Sequence, residues 1–350
     1  MQFHEPKLTG TPLFEGSTPK LQPRLGFVGV GWIGSHRLHA VAKEHAAEIV
    51  GVADARPEAA HAALVRIEQH APRARAMSFD NLLECGLDGV VVATPNAAHA
   101  EQSMAALERG LAVFCQKPLY RTSPEAEAIV QTAEEHDRLL EVDFCYRHVA
   151  GVARMRELAA SGALGDIYAA QLVFHNAYGP DKAWFNDPRE AGGGCVMDLG
   201  IHLIDLLLWV LPSEQVERLE SRMYSKGRRL MRPVRELEDY AEVDLQLSSG
   251  ATAHLACSWR LSAGCDAVIE ASFYGTRGAV RLHNVNGSFY DFTVEHCQGT
   301  RRTPIGTPPD DWGGRAICAW ARRVATNPRF DTGATHLVEV ARVVDEIYGR

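Results

Sequence analysis

Leu25 to His39, LGFVGVGWIGSHRLH, constrains this chain more than any other stretch. Leu25–Val30 is a short apolar run that reads as a buried strand. It breaks into Gly29-Val-Gly31-Trp32-Ile33-Gly34, and the pattern turns helical near Trp32. In a G-x-G-x-x-G held between strand and helix, the first glycine permits the tight turn. The second lets a pyrophosphate approach the backbone, and the third lets helix and strand pack closely. The phosphates then lie at the helix N-terminus, where free N–H groups and the helix dipole favour negative charge. A functionless glycine-rich turn has the same spelling, so a second signal is needed. It comes from Ile49-Val-Gly-Val-Ala53, a further apolar run ending in Asp54, where an acid can accept hydrogen bonds from adenosine ribose hydroxyls. Together these predict a dinucleotide site built on Gly29, Gly31, Trp32, Ile33, Gly34 and Asp54.

At 350 residues the chain has room for two domains of ordinary size. A net charge of −8 argues against a general nucleic-acid or membrane-surface role. No apolar run reads as a membrane span, and Met1 to Gly10 has no signal-peptide core. The eight cysteines show no C-x-x-C spacing, and several sit inside apolar strands. That pattern predicts a reducing compartment without a disulfide frame, hence a cytoplasmic protein with no nucleic-acid and no membrane partner.

Residues 1–23 carry four prolines and no periodicity, and read as an extended arm. From 24 to about 145 apolar strands alternate with helices, which means βαβ units and a parallel sheet. Beyond Arg147 the texture changes to a long strand, an apolar helix from Leu199 to Leu211, and strands of period-two alternation such as Glu242–Leu247. The fold expected is therefore α/β: an N-terminal doubly wound parallel sheet, then a C-terminal α/β domain with a large, open, mostly antiparallel sheet. The second domain spans 146–332, and 333–350 is a closing helix. One face of its sheet is covered. The other is solvated or a subunit contact, and the expectation is a homo-oligomer, dimer or tetramer, joined through it.

Ligands of such sheets sit at the carboxyl ends of the strands. Three ends stand out: Thr94-Pro95-Asn96, Gln116-Lys117-Pro118 and Tyr146-Arg147-His148. Lys117 alone would be a surface lysine, but a strand ending there aims it at the nicotinamide end of a crevice. Lysine and histidine both serve as proton carriers when suitably tuned. A second constellation follows the triple glycine 192–194: Asp198, His202 and Asp205 form a polar stripe in an otherwise apolar helix. Buried polar groups need partners, so the stripe must face a network or a cavity. An N-capping aspartate with a satisfied core histidine would look alike. A metal is not expected, since no second His/Cys cluster supplies further ligands.

With these motifs in place, the chain resembles the glucose–fructose oxidoreductase and inositol dehydrogenase family of nicotinamide-dependent sugar and polyol dehydrogenases, over about residues 24–345. The resemblance rests on the glycine loop, Asp54, Thr94-Pro95-Asn96 with His99, Lys117-Pro118, the triple glycine, and Asp198-x-x-x-His202-x-x-Asp205. It implies a nicotinamide cofactor held also by Thr94, Pro95, Asn96, His99, Gln116 and Lys117; Asp54, close to the adenosine 2′ position, would repel a phosphate there and points to NAD rather than NADP. It further implies Lys117 and His202 flanking the reacting carbinol of a sugar or polyol, Asp198 holding the substrate, Tyr146 and Arg147 lining the pocket, and a cis Pro118. His202, taken as titrating near neutrality, suits the base. One residue departs: the family's Glu-Lys-Pro is Gln116-Lys117-Pro118 here, which keeps a carbonyl for a ribose hydroxyl but loses a charge. The pocket loop, His175–Arg189, varies within the family, so the substrate does not carry over. Two rival readings remain: an enzyme that recycles bound NAD in elimination or epimerisation, and a non-catalytic dinucleotide sensor.

Overall fold

The computed structural model describes residues 22–350. All but the last two residues of the expected 1–23 arm lie outside the described residues. Six strands, β1 (Arg24–Val28), β2 (Glu48–Ala53), β3 (Arg75–Ala76), β4 (Gly89–Val92), β5 (Ala112–Cys115) and β6 (Leu140–Val142), form a sheet in the order β3-β2-β1-β4-β5-β6. Every pairing in it is parallel. The order reverses between β1 and β4, which opens a crevice beyond their carboxyl ends. The strand cores, Phe27, Val52, Val91 and Phe114 among them, are fully buried, as a sheet covered on both faces requires.

One cover comes from far along the chain. The helix Arg315–Thr326 lies within the stretch assigned to the second domain, yet packs into the core of the first sheet. Trp320 fits against Phe114 at a centroid distance of 5.5 Å.

Nine strands, β7 (Ile167–Asn176), β8 (Val216–Ser225), β9 (Arg228–Arg229), β10 (Tyr240–Leu247), β11 (Thr252–Ser258), β12 (Ala267–Gly275), β13 (Ala279–Asn284), β14 (Phe292–Gln298) and β15 (Arg301–Gly306), make the second sheet. Their order is β15-β14-β13-β12-β7-β11-β10-β8-β9, and among the described residues β7 with β11 is the one parallel pairing of this second sheet. In β10, Ala241, Val243, Leu245 and Leu247 turn inward while Asp244 and Gln246 face out. The edge strand β15 was not anticipated; it carries Pro304, a residue that only an edge or a bulge accommodates.

The helix expected from Leu199 begins earlier, as a π-helix over Val196–Gly200 that continues into Ile201–Val210. Contrary to the sequence reading, the helical stretch Pro188–Val210 is long and apolar enough to span a membrane. Its 18-residue apolar window is, however, 89% buried inside the protein, so that apolar surface is committed to the core.

Glu238, fully buried, anchors the start of this helix. Its carboxylate accepts the N–H of Gly194 (3.0 Å), the N–H of Val196 (2.8 Å) and the hydroxyl of Tyr348 (2.8 Å). Two of the three glycines, Gly193 and Gly194, follow from this packing. A Cβ on Gly194 would meet the Glu238 carbonyl oxygen at 2.0 Å, and one on Gly193 the Tyr348 hydroxyl at 2.1 Å. Burial pushes the Glu238 carboxyl up to about 7, against the pull of its three donors. A raised carboxyl contributes stability that is full below its ordinary 4.5 and lost as the pH climbs through about 7. Glu238→Gln should remove that dependence. The difference in Tm, wild type minus variant, should fall between pH 4.5 and 7. Parallel Tm curves would contradict this role.

Candidate active site

A crevice of about 1060 Å³ lies between the carboxyl ends of the first sheet and the second domain. At its floor Gly29 adopts φ +78°, and a Cβ on Gly34 would come within 2.0 Å of the Gly29 carbonyl oxygen. Nothing lies within 4 Å of the place where Gly31 would carry a Cβ. The helix Trp32–Lys43 starts there with no side-chain cap, so its first N–H groups face open space lined by Trp32 and Ile33. Asp54 is fixed beside the loop: its carboxylate accepts the N–H of Val30 (2.8 Å) and of Arg56 (3.0 Å). This cradle fits a dinucleotide pyrophosphate and its adenosine ribose.

Thr94, Pro95, Asn96 and His99 line the next section. The Asn96 side-chain amide donates to the Ala191 carbonyl at 2.8 Å, tying the two domains together. His99 is buried between two carbonyl oxygens, Pro118 (2.6 Å from Nδ1) and Thr94 (2.7 Å from Nε2); burial lowers its pKa, and the single N–H of the neutral ring donates to one of them while the ring packs between the two strand-end loops. Gln116 donates its amide to the buried carboxylate of Asp143, which also receives Arg37 Nε at 2.5 Å.

Lys117 precedes Pro118 through a cis peptide, as the resemblance implies. Its ammonium reaches across the crevice and donates to Asp198 twice, to Oδ1 and to the carbonyl oxygen, both at 2.7 Å. Trp259 Nε1 holds the other carboxylate oxygen at 3.0 Å. An ammonium has three donors, so one N–H of Lys117 is left for the crevice. His202 also lines it, its ring edge-on to Tyr146 at 4.9 Å. His202 is not the near-neutral base that the sequence suggested. Burial first, then the charges of Lys117 and Arg37, hold its pKa well below 6.5, and its buried Nδ1 has no hydrogen-bond partner among the described residues.

Arg147 needs correction. It forms a bidentate pair with Asp205, with Nε at 2.8 Å from Oδ2, lies over the rings of Phe144 and Trp209, and lines a different hollow. Asp205 also contacts His336 Nε2 at 2.9 Å. The helical stripe explains this: seven residues past Asp198 is roughly 10 Å along the axis, which carries Asp205 beyond the crevice. Tyr146 stays at the site, buried against Trp312.

Several lining residues went unforeseen: Arg37, Asp143, Trp312, Tyr290, and the stacked pair Trp184 and Phe185, 3.8 Å apart. Asp143 was missed because the run Leu139–Phe144 reads from the sequence as one strand, whereas the strand ends at Val142 and a 3-10 turn, Cys145–His148, follows. The pocket loop was the signal for Trp184 and Phe185.

Residues 23–144 match a family model described as an oxidoreductase family with an NAD-binding Rossmann fold, and residues 152–281 match the GFO/IDH/MocA C-terminal domain. The rhizopine catabolism protein MocA of Rhizobium meliloti is 30% identical over 192 residues, 55% of this chain and 58% of that one. Inositol 2-dehydrogenase 3 of Saccharopolyspora erythraea is 31% identical over 261 residues, covering 74% and 72%. The structure of levoglucosan dehydrogenase with NADH and levoglucosan superimposes with a TM-score of 0.76 at 21% identity, over 93% of this chain and 96% of that one. The chain belongs to the glucose–fructose oxidoreductase, inositol dehydrogenase and MocA family of NAD-binding oxidoreductases.

Proposed function

We propose that this protein is an NAD-dependent dehydrogenase acting on a secondary carbinol of a sugar, inositol or sugar derivative. The observation that carries the reading is the Lys117–Asp198 contact at the mouth of the crevice, with one ammonium N–H still uncommitted. Bound in the cradle, nicotinamide supplies the hydride acceptor and donor. Lys117 then hydrogen-bonds the reacting oxygen: as the ammonium it gives that oxygen a proton in reduction, and in oxidation it enters as the neutral amine and takes the hydroxyl proton as hydride leaves. Asp198 orients Lys117 and keeps lone pairs for a neighbouring hydroxyl, which favours vicinal diols. His202, held neutral, contributes one hydrogen bond to the substrate and not a titrating charge. Trp184, Phe185, Tyr290 and Trp312 offer flat apolar walls against which the C–H faces of a sugar ring can pack. The names of the polyol- and sugar-acting relatives support the same class.

Lys117→Ala should lower turnover by about 10²–10⁴-fold, with NADH affinity and Tm little changed. Near wild-type turnover would remove the assignment. The pH profile of kcat/KM should show no limb at the ordinary histidine value of 6.5 that belongs to His202. A limb there that disappears in His202→Asn would restore the histidine as the proton carrier. Asp54 places a carboxylate where a 2′-phosphate would sit, and Arg56, 3.8 Å from it, only softens the repulsion. NAD should therefore be preferred over NADP by about tenfold or more, about 1.4 kcal/mol. Equal catalytic efficiency with both cofactors would contradict that.

A further inference from the structure

We propose that Asp143 and Arg37 are positioning residues that fix the amide of Gln116, so that its carbonyl oxygen is presented to a hydroxyl of the bound cofactor. The inference rests on reading the crevice as the nicotinamide site. Three buried side chains meet here. Gln116 is 7% exposed, Arg37 4% and Asp143 1%. Asp143 Oδ2 accepts both the Gln116 amide and Arg37 Nε, while its Oδ1 has no partner among the described residues. The orientation of the glutamine is thereby determined. Turned over, its carbonyl oxygen would face the carboxylate oxygen, two acceptors with no proton between them. With the amide nitrogen committed to Asp143, the carbonyl oxygen is the group left for the crevice that Gln116 lines beside Lys117. An acceptor in that place suits a ribose hydroxyl.

Arg37 makes the buried carboxylate tenable. Burial disfavours its own charge, but Asp143 holds the guanidinium above its ordinary value. The result is a neutral acceptor at position 116 resting on an ion pair below it. The same arrangement dictates what position 116 can be. A glutamate there would set two carboxylates against each other, with only Arg37 to share. A glutamate at 116 opposite an asparagine at 143 would restore one charge, one amide donor and the arginine contact.

The test uses the full-length protein and four forms: wild type, Gln116→Glu, Asp143→Asn, and the double variant Gln116→Glu/Asp143→Asn. NADH affinity is read by the fluorescence of the reduced cofactor, and Tm is read without cofactor. Each single change should weaken NADH binding by about tenfold and lower Tm. The double variant should bind NADH more tightly, and melt higher, than either single one. A double variant no better than the poorer single change would overturn the proposal. So would recovery of Tm without recovery of affinity, since that reduces the trio to a purely structural role, and so would single changes that leave affinity untouched. Failure of the wild type to bind NADH would instead remove the cofactor reading. The Tm comparison would still show whether the three residues act as a unit.

Discussion

The contact between Lys117 and Asp198 joins the two halves of the molecule at the point where chemistry is proposed. Lys117 comes from the end of β5 in the first domain, and Asp198 from the helical start that Glu238 anchors in the second. Both side chains are 18% exposed, so the pair is neither a surface salt bridge nor a fully dry one. Charge-assisted hydrogen bonds of this kind are short and directional. Their worth to stability is largely offset by desolvation. What they supply is placement: an ammonium held by two acceptors on one residue has little freedom in where its third donor points.

The supports behind that contact form two layers. On the first-domain side, His99 packs between the Thr94 and Pro118 carbonyls, donating to one of them, and so braces the backbone that carries Lys117. On the second-domain side, Trp259 takes the free oxygen of Asp198, and Glu238 gathers the N–H groups of the glycine loop below it. Asn96 bridges the layers through Ala191. His202, walled by Tyr146 and Phe144, is held well below its ordinary value by burial first, then by the charges of Lys117 and Arg37.

The first domain was legible in the sequence because its signals are local. The glycine loop, Asp54 and the proline- or glycine-marked strand ends all follow from turn chemistry and apolar runs a few residues long. The direct contact of Lys117 with Asp198, 81 positions apart, was not written in any spacing; family resemblance brought both residues to the substrate but paired Lys117 with His202. Misreadings came where tertiary packing decides. The run Leu139–Phe144, which reads as one strand, hid the true end of β6 and with it Asp143. The stripe of Asp198, His202 and Asp205 looked like a single site, although Asp205 lies two turns down among Arg147 and His336. The return of Arg315–Thr326 to the first core and the anchoring by Glu238 are long-range events that no window of sequence contains.

The central claim is that Lys117 and Asp198 act as one device. A double-mutant cycle on turnover, with Lys117→Met, Asp198→Asn and both together, tests it most directly. Residues that work as a unit lose little more on removal of the second member than on removal of the first. The combined loss should be close to that of Lys117→Met alone. A combined loss equal to the product of the two single losses would contradict it.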